Sequence, residues 1–110
     1  MSFRIVMTEQ AANDLRGIFE YIAYELKSVQ IAEGQLDRLE KNILSLDTMP
    51  GRFRLYDKEP WKSRGLRIMP VDNYLVFYIP DPENETVSII RIMYGGRDID
   101  TQLRKHTQKE

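Results

Sequence analysis

The 110-residue chain has no cysteine and only one histidine. Without cysteine there are no disulfide bonds, no thiolate metal sites and no cysteine nucleophile. The absence also fits the reducing cytosol, so we expect a cytoplasmic protein. The single histidine, His106, stands in a polar tail without a second histidine or an acidic cluster at metal-ligand spacing. We therefore expect no metal site and no catalytic role for this residue.

Long apolar runs, cofactor motifs and repeats are missing as well. No apolar stretch approaches the roughly 18 residues that a membrane-spanning helix needs, and we expect no membrane partner. We see no signal peptide. The sequence shows no phosphate-binding glycine loop, nucleophile elbow or dinucleotide fingerprint, so we expect no cofactor. The length predicts one domain over residues 1–110, because nothing resembles a linker.

A net charge of −1 conceals an uneven distribution of charge along the chain. Residues 9–47 carry eight acids and four bases, whereas residues 52–67 carry six bases and two acids. The basic stretch is either ordinary solvated surface or a positive face for an anionic partner such as a nucleic acid or an acidic peptide.

The first half of the chain predicts a strand followed by two helices. Ser2–Met7 alternates in the manner of a strand, and the hydroxyl groups of Thr8 and Ser28 can each cap a helix start. Apolar residues then recur at three- and four-residue steps, which predicts amphipathic helices over 9–26 and 29–47. Pro50 follows the second pattern and ends it. The short break between the helices predicts a helical hairpin.

The second half predicts a loop over residues 52–65 and then three strands. The strands are Leu66–Val71, Tyr74–Ile79 and Val87–Tyr94, and Asp72–Asn73 is predicted to form the turn between the first two. The last of these is apolar on both faces, which places it centrally in the sheet. A final helical turn is predicted over 98–105. The fold class is therefore α+β: a strand, a two-helix hairpin and three mostly antiparallel strands in one curved sheet.

Two glycines after the last strand draw attention to the residues that follow. Gly95 and Gly96 let the backbone turn sharply, which would leave Arg97 at the rim of the sheet. Arg97 then either pairs with Asp98 at the end of a strand or presents its guanidinium to a phosphate or carboxylate.

Three other residues each allow a structural and a functional interpretation. Arg91 lies among apolar neighbours, so it either points to an open sheet face or pairs with an acid. Trp61 is either a hydrophobic plug or a contact for a partner. Tyr94 either buries its ring in the usual way or serves catalysis beside Arg97.

Several segments, in the right order, resemble one family of bacterial toxins. The run RGLRIMPVDNYLVFY (64–78) resembles the hairpin of ParE-type toxins, and IRIMYGGRDI (90–99) is similar to their closing segment. The opening strand with Thr8–Leu15, and Met49–Gly51, fit the same pattern. The chain thus resembles the RelE/ParE superfamily, the toxins of type II toxin–antitoxin systems, on its ParE-like branch.

The resemblance implies one of two targets. RelE-like members cut messenger RNA on the ribosome with lysines and arginines across the sheet, whereas ParE-like members are associated with inhibition of DNA gyrase. The positions of the RelE-like catalytic set hold Leu66, Ile68, Leu75 and Leu103 here, and only Arg97 matches. This departure favours a gyrase inhibitor that is not an enzyme.

An alternative is a RelE-like ribosome-dependent endoribonuclease, with ribosome and mRNA as partners and with Arg67, Arg97 and Tyr94 as catalytic residues. A third hypothesis is an interaction module that has lost toxicity.

The resemblance also implies the partners and their contact residues. A cognate antitoxin is expected to wrap the toxin with its carboxyl-terminal segment in a toxin–antitoxin hetero-oligomer. The residues assigned to the target are Arg64, Arg67, Tyr94 and Arg97. Those assigned to the antitoxin are Leu15, Phe19, Arg52, Arg54 and Trp61.

Overall fold

A computed structural model describes residues 2–96 and 98–107, with side chains as far as Arg104. Arg97 and the side chain of His106 lie outside the described residues. The elements in chain order are β1 (Arg4–Met7), α1 (Glu9–Glu20), α2 (Val29–Leu44), α3 (Trp61–Arg64), β2 (Arg67–Val71), β3 (Tyr74–Asp81), β4 (Thr86–Tyr94) and α4 (Ile99–Thr107). This order confirms the predicted fold class of a strand, a helical hairpin and three further strands.

Short hydroxyl side chains begin both long helices. Thr8 Oγ1 accepts from the backbone N–H of Ala11 (3.2 Å) and also donates to the carbonyl of Ile89 (2.8 Å), which attaches the start of α1 to β4. Ser28 Oγ accepts from the N–H of Ile31 (3.2 Å) at the start of α2. The predicted caps are therefore confirmed.

The first helix departs from its prediction at its end. α1 stops at Glu20, and Tyr21–Glu25 continues as a π-helical turn. A π-helical turn holds more residues than an α-helical turn, so it shifts the phase of the apolar stripe. Leu26, predicted to lie on that stripe, is consequently 58% exposed.

The four strands form one sheet in the order β1-β4-β3-β2. β1 runs parallel to β4, and the other neighbouring pairs are antiparallel. β4 therefore lies inside the sheet, as predicted. The register shifts between Phe77 and Tyr78, which lie opposite Arg91 and Ile89, so Ile90 is an extra residue in β4. This bulge changes the direction of the strand before its end.

The hairpin of α1 and α2 covers one face of the sheet. Its buried core combines apolar residues of both helices and three strands, including Leu39, Leu46, Val76, Tyr78 and Ile89. Tyr78 donates its hydroxyl hydrogen to the carbonyl of Pro50, which ties the end of the hairpin to the sheet.

The second face of the sheet is covered too, which the sequence did not predict. The segment predicted as a loop contains α3, and together with α4 it packs over an apolar cluster that includes Trp61, Leu66, Ile68, Phe77 and Leu103. Trp61 is only 3% exposed, as its interpretation as a hydrophobic plug expects. The sheet is thus enclosed between the helical hairpin and this second cover.

Candidate functional site

A groove of about 900 Å³ separates the helical hairpin from the ends of β3 and β4. Its walls come from one face of α1, the tip of the hairpin and the strand ends. The lining is mostly apolar and aromatic, with Ile18, Tyr21, Ile22, Leu26, Ile31, Tyr74, Met93 and Tyr94. Concave sites with apolar linings and a few polar groups are common binding sites in proteins.

The hairpin tip beside the groove exposes an unusual amount of apolar surface. Five of its side chains are half exposed or more: Tyr21, Tyr24, Leu26, Val29 and Ile31. The π-helical turn (Tyr21–Glu25) forms the first part of this tip, and Lys27, which follows the turn, has a positive φ of 57°. A contiguous apolar patch next to irregular backbone is typical of an interaction surface.

Three tyrosines meet at the mouth of the groove. The rings of Tyr74 and Tyr94 pack edge to face, with their centroids 5.9 Å apart. Burial raises the pKa of Tyr74 above its usual 10.0, and the nearby phenols of Tyr21 and Tyr94 raise this pKa further. Tyr94 is nevertheless 51% exposed, so its ring remains available to a partner.

The turn after β4 depends on the small size of its two glycines. Among the described glycines only Gly65 has a positive φ. Gly95 and Gly96 are therefore not required by a left-handed backbone conformation. A Cβ on Gly96 would lie 2.7 Å from the ring of Tyr94, and one on Gly95 would lie 3.4 Å from the carbonyl of Asn73. The glycines therefore make room for the aromatic ring and the neighbouring turn.

A buried ion pair lies in the wall of the groove. Arg91 is 3% exposed and donates to both carboxylate oxygens of Asp14, from Nε (2.7 Å) and from Nη2 (3.1 Å). The same carboxylate accepts from the N–H of Ile92 (2.9 Å), and Arg91 Nη1 donates to the carbonyl of Gln102 (2.8 Å). Arg91 is therefore paired with an acid, one of its two predicted arrangements, and it connects α1, β4 and α4.

Asp98 begins the carboxyl-terminal helix. Its carboxylate accepts from the hydroxyl (2.8 Å) and the N–H (3.3 Å) of Thr101, and these bonds lower the pKa of Asp98. This is the geometry of a helix N-cap. The predicted roles of Arg97, an ion pair or a presented guanidinium, stay predictions because that residue lies outside the described part of the chain.

The basic stretch uses several of its cations within the chain. Arg52 donates to the carbonyls of Ser45 and Thr48, Arg67 donates to the carbonyl of Phe53, and Arg64 stacks over Trp61. Lys58 lies close enough to Asp98 to lower its pKa. These arginines therefore hold parts of the chain itself in place while keeping their positive charge, and whether the stretch is ordinary surface or a face for an anionic partner stays a prediction.

The structure does not gather the residues assigned to the target. Tyr94 lies opposite Tyr74, which lies opposite Val71, and Arg67 is at the other end of the same strand as Val71. The spacing of residues and strands in a sheet puts the Cα atoms of Arg67 and Tyr94 about 16 Å apart. Arg64 belongs to the cover of the second face.

The residues assigned to the antitoxin are also dispersed. Leu15 and Phe19 pack partly inward from α1 against buried clusters. Arg52 and Arg54 follow α2, and Trp61 is buried beneath the other face of the sheet. None of these five residues lines the groove.

Sequence reasoning missed Gly17, Tyr21, Tyr24 and Ile31, which line or border the groove. The available signal was a cluster of aromatic and β-branched residues on both sides of the break at Lys27–Ser28.

No three acids or histidines in residues 2–96 and 98–107 are grouped to hold a metal ion. Within the same residues, no helix is long and apolar enough to cross a membrane.

The comparisons with known proteins agree with this architecture. Residues 5–99 match the family described as the ParE toxin of type II toxin-antitoxin systems, parDE. The chain therefore belongs to this family of toxins. No curated protein sequence matches it.

Solved structures show the same fold at low sequence identity. The chromosomal ParDE system of P. aeruginosa superposes with a TM-score of 0.69 at 17% identity, covering 84% of this chain and 96% of that one. The RelBE2 complex of Mycobacterium tuberculosis gives 0.63 at 19%, covering 86% and 92%. A mutant of the E. coli toxin RelE in the free state gives 0.61 at 14%, covering 93% of each chain.

Proposed function

We propose that this toxin inhibits DNA gyrase and is silenced by a cognate antitoxin. The ParE family match supports the first part, and the solved relatives, which include toxin–antitoxin complexes, support the second. The toxin acts by binding and is not an enzyme.

The second face of the sheet is the observation that carries this proposal. The resemblance places the paired lysines of RelE-like ribonucleases at positions held here by Leu66 and Ile68, an arginine at Leu75 and a late tyrosine near Leu103. Three of these are at most 3% exposed, and Leu75 packs against the same apolar cluster. Cleavage of RNA requires a base, an acid and a group that stabilises the phosphorane. Buried hydrocarbon side chains supply none of these, which favours inhibition by binding over strand scission.

The groove is the place where the antitoxin docks in this proposal. An antitoxin segment that orders on binding would bury apolar side chains against the exposed hairpin tip. α1 supplies one wall of the groove through residues such as Gly17 and Ile18, whereas Leu15 and Phe19, which the sequence assigns to antitoxin binding, belong to the same helix but do not line the groove. The exposed apolar residues would thereby be covered whenever toxin and antitoxin are paired.

The purified chain should be tested in a gyrase supercoiling assay beside a translation assay with intact mRNA. We expect loss of supercoiling, no mRNA cleavage, and restored supercoiling when the cognate antitoxin is added. Cleaved mRNA with normal supercoiling would instead establish the RelE-like ribonuclease, and no effect in either assay would favour the interaction module.

Arg97→Ala tests the assigned target contact. We expect it to abolish the inhibition of gyrase while the melting temperature stays unchanged. Arg104→Ala is a matched control, because Arg104 lies on the adjacent α4 with 66% of its side chain exposed. Full inhibition by the Arg97 variant would remove that residue from the target contact.

A further inference from the structure

Gly17 lies in the interior of α1, and no contact among the described residues requires glycine at this position. A Cβ built on it meets nothing within 4 Å, and its φ is not positive. Glycine is the least favourable residue in a helix apart from proline, so alanine would be expected at an exposed helical position. The cost of this glycine points to a need for empty space outside the helix.

That space belongs to the groove. Gly17 lines it, one turn from Asn13 and one turn from Tyr21 on the same face of α1. The missing side chain leaves a depression in the helical wall between these two larger neighbours. The opposite wall carries Tyr74 and Tyr94.

The polarity of the residues that line the groove indicates which kind of side chain can bind there. Asp14 and Arg91 are the only charged residues among the lining residues, all of which are described, and they satisfy each other. A charged occupant would therefore find no counter-ion, whereas an apolar side chain would bury aromatic and aliphatic surface. The side-chain amides of Asn13 and Asn73 have no hydrogen-bond partner among the described residues, and they stand on opposite walls where they can bind a main chain.

We propose that a large apolar side chain of the cognate antitoxin packs into the depression over Gly17, while Asn13 and Asn73 bind the main chain on either side. This inference rests on the proposed function, because it requires an antitoxin in the groove. It makes Gly17 a residue that determines which antitoxin fits, because any side chain at this position fills the space that the partner needs.

Substitutions at Gly17 should act in opposite directions on stability and on binding. Gly17→Ala is expected to raise the melting temperature of the free toxin by about 4 °C, because alanine is the better helix former. The same substitution should weaken the binding of purified antitoxin roughly fivefold, and Gly17→Leu should weaken it roughly a hundredfold, because each fills the depression. Calorimetric titration and thermal unfolding measure the two effects.

Gly34 provides the matched control. It lies inside α2, does not line the groove, and its added Cβ would make only an ordinary contact with Arg38 (3.5 Å). Gly34→Ala should therefore raise the melting temperature by a similar amount and leave the affinity for antitoxin unchanged within about twofold.

The absence of cysteine permits a direct footprint. In a chain with no other thiol, the side chain of Gly17→Cys should react with a maleimide in the free toxin and be protected in the antitoxin complex. The side chain of Gly34→Cys should react equally in both states. Normal antitoxin affinity of Gly17→Leu, or a reactive thiol at position 17 in the complex, would overturn the inference while leaving the pairing intact. Failure of the wild-type toxin to bind its antitoxin would overturn the proposed function and this inference together.

Discussion

Removal of Asp14 tests the internal connection between α1, β4 and α4. Asp14→Ala leaves the guanidinium of Arg91 buried without a counter-ion, since Arg91 is 3% exposed and both of its bonds to a carboxylate end on Asp14. It also removes the acceptor of the Ile92 N–H. The side-chain amide of Gln10 also donates to this carboxylate (3.3 Å), so the variant loses four hydrogen bonds, two of which join charged partners.

The expected loss of stability is large for a protein of this size. Breaking a buried ion pair by removing one partner costs about 3–5 kcal/mol, because an uncompensated charge remains inside. Small domains unfold with a free energy of about 5–15 kcal/mol in total. Asp14→Ala should therefore remove a large share of the stability of the free toxin. Arg91→Met should cost less, because the remaining Asp14 carboxylate is more exposed (11%) than Arg91 and keeps the hydrogen bond from the N–H of Ile92.

Urea unfolding of both single variants and of the double variant measures the coupling between the two residues. The double variant Asp14→Ala with Arg91→Met should lose less stability than the sum of the two single losses, since it leaves neither charge buried without its partner. The reasoning would be refuted if Asp14→Ala lost less than about 1 kcal/mol, or if the two single effects simply added.

Two further predictions concern the turn after β2 and the cover of the second sheet face. Hydrogen bonds from Arg38 and then Gln35 hold the pKa of Asp72 below its usual 3.8, so its contribution to stability is present above that pH and lost as the pH falls through the lowered pKa. Asp72→Asn should therefore lose less melting temperature than the wild type on acidification below about pH 4. Gly65 ends α3 with a φ of 84°, so Gly65→Ala should lower the free energy of unfolding by about 1 kcal/mol. As the cover of the second sheet face loosens, the fluorescence of Trp61, the single tryptophan, which is buried, should shift to longer wavelength. Unchanged acid sensitivity in the first case, or unchanged emission and stability in the second, would contradict these accounts.

The sequence predicted the elements whose signals are local. Thr8 and Ser28 cap the helices because a short hydroxyl side chain satisfies the free N–H groups at a helix start. Asp72–Asn73 makes the predicted turn of the β2–β3 hairpin, and Asp72 takes a positive φ of 55°. Such features depend on a few neighbouring residues, so a single sequence reveals them.

Long-range pairings were not predictable in the same way. Arg91 needs an acid, but its partner Asp14 is 77 residues away in sequence, and nothing local identifies it. The cover over Trp61 likewise arises because α3 and α4 both reach the same apolar sheet face. These contacts follow from the assembled fold and not from any periodicity.

The groove was hidden for a physical reason. The π-helical turn at Tyr21–Glu25 shifts the helical phase. Apolar residues that the sequence periodicity assigns to a buried stripe, such as Leu26, are therefore exposed. Gly17 belongs to no sequence motif, because its role depends on the empty space beside the helix. The sequence identifies the side chains that are present, but it does not show which empty space on the folded surface a partner can fill.

The parallel pairing of β1 with β4 bears on when the chain can complete its fold during its own synthesis. Arg4 lies opposite Thr86, and at translation rates of about 5–20 residues per second the interval between them takes roughly 4–16 s. Throughout this time the ribosome holds a chain whose amino-terminal strand has no neighbour, and whose α1 lacks the β4 carbonyl that Thr8 binds. The sheet of a nascent chain therefore stays incomplete until its last strand emerges, so the fold is finished only near the end of synthesis.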